Sequence, residues 1–229
     1  QQDFFQANFQ LLSALAQMPH LDVPVEIEKR LGRPLSGVER HALERRIQSV
    51  NLWVRNYASE EEKTHLQETL PARASELSAT QRAFLRKLGE ALAEVSWEED
   101  VLQATVFETA RLTPIEQPVA FKAIYRVLLD KESGPKAGNL FAYLERDFLR
   151  KRFAEVPFDR EAFWQESALP EEDFAKWVGA QSGKVVGYTH VIESCAAGNV
   201  LELTVEMQDG KRHLRRTWLS PTPDVSSLL

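Results

Sequence analysis

Near residue 184 the chain changes its period, and that change constrains the fold more than any other feature. Before it, apolar residues recur every three or four positions, the spacing of a helix face; from Lys184 to Leu219 they alternate. Val186, Tyr188, His190 and Ile192 fall on one side of an extended segment. So do Leu201, Leu203, Val205 and Met207, and then His213, Arg215, Thr217 and Leu219. Gly198-Asn199 and Asp209-Gly210 mark the turns, and Asp-Gly is a strong two-residue hairpin signal. The pattern predicts a mainly α chain: an α-helical bundle or cage, then a small α+β appendage with a three-stranded antiparallel meander. A boundary near residues 155–159 gives a helical domain over 1–155, the appendage over 156–220 and a flexible tail over 221–229.

The helical part reads as a series of amphipathic segments. Residues 4–18 carry Phe5, Phe9, Leu12 and Ala16 at helical spacing and stop at Pro19. A short helix over 25–31 closes on Gly32. A long one over 38–57 buries Leu43, Ile47, Val50, Val54 and Tyr57. Residues 59–75 are polar and loop-like. Ser78 with Gln81 is a capping box opening a helix to residue 95, and Ser96 with Glu99 repeats the device for a helix to residue 112. The acids Glu98, Glu99 and Asp100 suit the positive end of that helix dipole better than a metal. Helices follow over 119–129 and 136–153, and two short ones within 157–183.

The chain has 229 residues, 43% hydrophobic and 27% charged, which argues against general disorder. Its net charge of -6 counts mildly against sequence-blind nucleic-acid binding, though not against a local basic face. A single cysteine, Cys195, excludes an internal disulfide and a cysteine zinc site, which fits a reducing, cytoplasmic setting. No apolar run is long enough for a membrane span. The opening residues show neither an initiator Met nor a signal-peptide pattern, as expected of a piece of a longer protein. None of the histidines His20, His41, His65, His190 and His213 stands at metal-ligand spacing, and no nucleotide-binding or hydrolase motif occurs.

Residues 121–144, FKAIYRVLLDKESGPKAGNLFAYL, are two amphipathic segments joined by a turn with Gly134-Pro135 in front and Gly138 behind. Lys136 and several amides stand at the second helix start, where unpaired N–H groups and the dipole attract anions. A plain turn with proline at the helix start needs the same residues, and the sequence leaves both readings open. Basic residues cluster three times: Arg40, Arg45, Arg46 and Arg55; Arg146, Arg150, Lys151 and Arg152; and Lys211, Arg212, Arg215 and Arg216. Helix C-termini and protected edge strands also favour such cations. Phosphate contact is the alternative, and aromatics beside cations are what unstacked RNA bases need. Trp53, Arg55 and Tyr57 supply that pairing at one helix end, and Tyr125 with Arg126 supply it just before the turn.

The order Phe121-x-Ala123-Ile124-Tyr125-x-Val127-Leu128-Leu129, then Gly134-Pro135-Lys136-Ala137-Gly138 and Leu144-x-x-Asp147-Phe148, resembles the C-terminal end of class I lysyl-tRNA synthetases. Leu52-Trp53-Val54-x-x-Tyr57-Ala58 resembles a helix end of the same family. The resemblance spans about residues 4–153. It implies an α-helical cage that binds the anticodon of a lysine-accepting tRNA, related to the anticodon domain of glutamyl-tRNA synthetases. The candidate RNA-binding set is then Trp53, Arg55, Tyr57, Tyr125, Arg126, Lys136, Arg150 and Lys151. The family has glycine where Asp130 stands and arginine where Lys136 stands; lysine keeps the charge without the planar fork, which points to phosphate rather than a base edge. The family's catalytic signatures are absent. By resemblance, ATP and magnesium serve a catalytic domain N-terminal to this chain; the chain itself holds no cofactor, no metal and no catalytic residue and is inactive alone. The family ends soon after the Lys136 helix, so the appendage stands outside the resemblance. A free-standing helical protein–protein or RNA-binding module without catalysis is the alternative.

Overall fold

The computed structural model describes residues 9–17, 22–58, 63 and 65–219. The expected helix start at 4–8, the residue Met18, part of the polar loop and the expected tail lie outside the described residues. The chain divides into two compact units, Gln1–Glu68 and Thr69–Leu229.

The first unit contains helices α1 (Phe9–Ala16), α2 (Val23–Leu31) and α3 (Gly37–Asn56). Asp22 caps α2, accepting from the Val25 amide, and Gly32 ends it in the left-handed region at φ 64°. Ser36 and Glu39 form a reciprocal capping box at the start of α3. Leu12, Leu15, Ile27, Leu43 and Val50 are buried and make its core. Arg33 hydrogen-bonds the Glu39 carboxylate at 2.9 and 3.0 Å, and the Ser36 amide donates to it at 2.9 Å. Arg33 first, then Ser36, hold the Glu39 carboxyl down to about 2. A group depressed in the folded state stabilises above its ordinary pKa and loses that stabilisation as pH falls towards the depressed one. Helicity of the first unit is therefore expected to weaken between about pH 4.5 and 2. Glu39→Gln should flatten that part of a circular-dichroism acid titration; an unchanged profile would remove Glu39 from the account.

The second unit begins with a 3-10 turn, Ala72–Glu76. The helices α4 (Ala79–Ala91), α5 (Glu99–Arg111), α6 (Gln117–Leu129), α7 (Ala137–Ala142), α8 (Arg146–Ala154) and α9 (Arg160–Ser167) follow. Then come β1 (Ala168–Leu169), α10 (Glu171–Gln181), β2 (Val185–Cys195), β3 (Gly198–Met207) and β4 (Arg212–Leu219). Phe84, Leu85, Leu88, Leu102, Val106, Ile124, Leu128, Phe141, Leu149 and Phe153 are buried in its helical core. The capping box of Ser78 and Gln81 forms as expected. The one expected at Ser96 does not, because Glu98 is the N-cap of α5 and makes no side-chain cap bond. Trp97 fixes this entry instead: its indole N–H donates to the Leu144 carbonyl at 3.1 Å, and Arg146 lies 4.8 Å over its ring. The single helix expected over 136–153 is two, α7 and α8, separated at residues 143–145.

The expected three-stranded meander is corrected to a four-stranded mixed sheet of order β1-β4-β3-β2. β2, β3 and β4 pair antiparallel, while β1 pairs parallel to β4, Ala168 opposite Arg216 and Leu169 opposite Thr217. Thr217 Oγ1 donates to the Leu169 carbonyl at 3.0 Å and helps hold this short strand. α10 covers one face, with Phe174 and Val178 packed on Leu201, Leu203 and Val205. On the other face Phe163, Trp164 and Ala83 pack with Val200.

The stretch expected as an appendage lies in the same compact unit as residues 69–155. Two polar devices join it to the helices. The Glu166 carboxylate on α9 accepts from the Ala79 and Thr80 amides at 2.9 and 3.2 Å and so caps α4. Arg216 donates to the Thr113 carbonyl at 3.2 Å, next to the Leu112 carbonyl that Lys87 of α4 meets at 3.1 Å. Both cations therefore meet the negative end of the α5 dipole.

Candidate nucleic-acid interface

The Gly-Pro turn is a tightly packed joint between α6 and α7. Asp130 ends α6 in the left-handed region at φ 54°. A Cβ on Gly134 would come within 2.7 Å of the Tyr125 ring. The Tyr125 hydroxyl donates to the Pro135 carbonyl at 2.6 Å, and the residue is 7% exposed. Burial pushes the phenol up to about 12. Tyr125 is thus a strut under the turn, with no open ring face for a base.

Behind the turn, α7 crosses α5 at backbone contact. A Cβ on Gly138 would stand 2.2 Å from the Glu99 carbonyl oxygen, and the Gly138 amide donates to Gln103 Oε1 at 2.9 Å. The helix start over which an anion was expected therefore spends this N–H on α5. Lys136, the N-cap, keeps its side chain 52% exposed with Nζ 3.4 Å from Asp100 Oδ1. An exposed pair of that length is worth well under 1 kcal/mol, so Lys136 remains available to phosphate.

The fold neutralises many of the cations that cluster in the sequence. Arg126 pairs with Glu76 at 2.7 Å and with Glu132, which Lys122 also meets at 3.1 Å. Lys122 foremost, and then Arg126, hold the Glu132 carboxyl below its ordinary range. Arg146 donates to the Ala93 and Val95 carbonyls at 2.7 and 2.8 Å, and buried Arg152 donates to Val127 at 2.8 Å. On the last strand, Arg212 pairs with Glu108 at 2.9 Å and Arg216 with Glu202 at 2.7 Å. Lys211 pairs with Asp209 at 2.9 Å, and Arg215 lies 5.5 Å over Trp177.

Other cations stay open. Arg150 and Lys151 are exposed side by side on α8 and have no ion pair among the described residues. Arg45, Arg46 and Arg55 on α3 are likewise exposed and unpaired among the described residues. At the end of α3, Trp53 packs edge-on to Phe9 with ring centroids 5.3 Å apart, while Tyr57 is 77% exposed. Of the eight candidates the structure gathers Tyr125, Arg126 and Lys136 around one turn. It exposes Arg150 and Lys151 on α8, and places Trp53, Arg55 and Tyr57 in the first unit. Sequence reasoning passed over Gln103, which takes the Gly138 amide; its only signal was a polar side chain on an otherwise apolar helix face. No group of three His, Cys, Asp or Glu among the described residues could hold a metal. No helix among them is long and apolar enough to cross a membrane.

No family model matches the chain. Its similarity to known proteins is with aminoacyl-tRNA synthetases of archaea. The lysine–tRNA ligase of Methanopyrus kandleri is 36% identical over 123 residues, covering 52% of this chain and 22% of the relative. That of Pyrococcus furiosus is 31% identical over 153 residues, 64% of this chain and 29% of the relative. That of Archaeoglobus fulgidus is 29% identical over 146 residues, 63% of this chain and 29% of the relative. The chain thus carries a region related to lysine–tRNA ligases, and it spans under a third of the length of these relatives.

Proposed function

We propose that this chain is the tRNA anticodon-binding part of a class I lysine–tRNA ligase, serving a catalytic domain outside the sequence that uses ATP and magnesium. The observation that carries this is the 31–36% identity to lysine–tRNA ligases. The Gly134–Gly138 turn and the Trp53–Tyr57 helix end, which resemble that family in sequence, support it. Phosphate contact falls to Lys136, Arg150, Lys151 and Arg55, and base stacking to Tyr57. Tyr125 and Arg126 shape the turn that presents Lys136 and do not touch RNA themselves.

Filter binding of lysine tRNA to the full chain tests this reading. Arg150→Glu with Lys151→Glu is expected to weaken binding about ten-fold or more and to flatten the log–log salt slope by about 2, one per lost phosphate contact. Both side chains are exposed, so stability should hold. Exchanging the anticodon should weaken binding further. Equal affinity for an unrelated anticodon would sink the anticodon claim, and unchanged salt dependence would remove α8 from the interface. The internal neutralisation of Arg126, Arg146, Arg152, Arg212 and Arg216 favours a second reading, a helical protein–protein module without tRNA duty. Absence of tRNA binding at low salt would select it.

A further inference from the structure

The outer strand β2 has no neighbour on its free side among the described residues. It is eleven residues long, whereas edge strands are ordinarily short, charged or covered. Val186, Tyr188, Val191 and Ile192 are exposed on it. Tyr188 stands opposite Val205 and Ile192 opposite Leu201, so the apolar stripe under α10 continues out to the open edge. The reverse face is different. Gly187 stands opposite Glu206, and a Cβ at Gly187 would lie 3.8 Å from Glu206 Oε2. The Glu206 carboxylate therefore leans over the edge strand, exposed and unpaired among the described residues. Glu193 is held by Arg160, and Arg212, which stands opposite Glu206 on β4, pairs with Glu108 at 2.9 Å; Lys184, just before β2, is exposed.

We propose that β2 is a docking edge for an extended segment of another polypeptide, apolar on one face and carrying Lys or Arg on the other. Free N–H and C=O groups along β2 supply the ladder, as in strand addition generally. Apolar side chains of the segment lie beside Tyr188 and Ile192, and its cation meets Glu206. RNA does not fit, because an unpaired carboxylate at the edge repels phosphate. A second copy of β2 does not fit either, since its reverse face offers Gly187, Thr189, Val191 and Glu193 and no cation.

The test titrates the isotope-labelled full chain with the blocked peptide TVKVTVKVT and follows amide resonances. Shifts should centre on Tyr188, His190 and Ile192. Glu206→Lys should weaken binding about ten-fold, the loss of one charge-assisted contact, with Glu206→Gln intermediate. Ile192→Lys should weaken it further. The substituted residues are exposed, and retained resonance dispersion checks their fold. Equal affinity of Glu206→Lys, equal binding of a scrambled peptide, or shifts centred elsewhere would overturn the proposal. So would a dimer in sedimentation that buries β2, binding of single-stranded RNA at these resonances, or peptide binding that appears only when residues 220–229 are removed.

Discussion

Gly138→Ala is expected to destabilise the second unit by about 3 kcal/mol, the sum of severe overpacking and one lost buried hydrogen bond. The added methyl would stand 2.2 Å from the Glu99 carbonyl oxygen and 2.9 Å from Gln103 Cβ. The first obstacle is backbone, so no side-chain rotation relieves it, and α7 must move off α5. That movement also opens the bond from the Gly138 amide to Gln103 Oε1. A fall in melting temperature of about 10 °C follows for a unit of this size. Gly179→Ala is the control: it lies in α10 with nothing within 4 Å of the added Cβ. There alanine should stabilise by about 0.5 kcal/mol through helix propensity and a less flexible unfolded chain. Equal melting temperatures for the two variants would show that α5 and α7 are not in backbone contact.

Arg216→Met should cost about 3 kcal/mol, the lower end for a broken buried pair because Glu202 is 33% exposed. Arg216 is 1% exposed and lies 4.2 Å over the Phe163 ring. Its guanidinium serves Glu202 at 2.7 Å, the Thr113 carbonyl at 3.2 Å and Ser167 Oγ at 3.2 Å. Methionine fills most of the volume and leaves all three acceptors unserved, with Glu202 an uncompensated charge. Adding Glu202→Leu should recover much of the loss, because a buried ion pair replaced by apolar side chains is often close to neutral. Urea unfolding of both singles and the double variant closes the cycle. Additive losses would show that the pair does not act as a unit.

These two residues mark how far the sequence could be read. The helical period located α3, α4, α5 and α6 to within a few residues, since each turns an apolar stripe inward; Tyr57, expected in the stripe of α3, is instead exposed past the helix end. Ser36 with Glu39 and Ser78 with Gln81 form the same reciprocal cap, because that chemistry is local. Ser96 has the same pattern and fails, because the contact of Trp97 with Leu144 reaches far along the chain. The break at residues 143–145 was hidden because the apolar stripe runs through it without proline or glycine. β1 was illegible: two residues hold no alternation, and a parallel partner dozens of positions away defines them. For the candidate site, Lys136, Arg150 and Lys151 emerge as exposed cations, and Tyr125 and Arg126 as supports of the turn.

The sequence by itself determined the helical body, the sheet of alternating strands and the turns between them, because period, caps and Gly-Pro chemistry act over a few residues. It also carried the likeness to lysine–tRNA ligases. Only the tertiary structure decided which charges face water. Arg216 and Arg150 look alike along the chain. Burial against Phe163 and Glu202 makes the first a structural joint, and an open helix face leaves the second free for a partner.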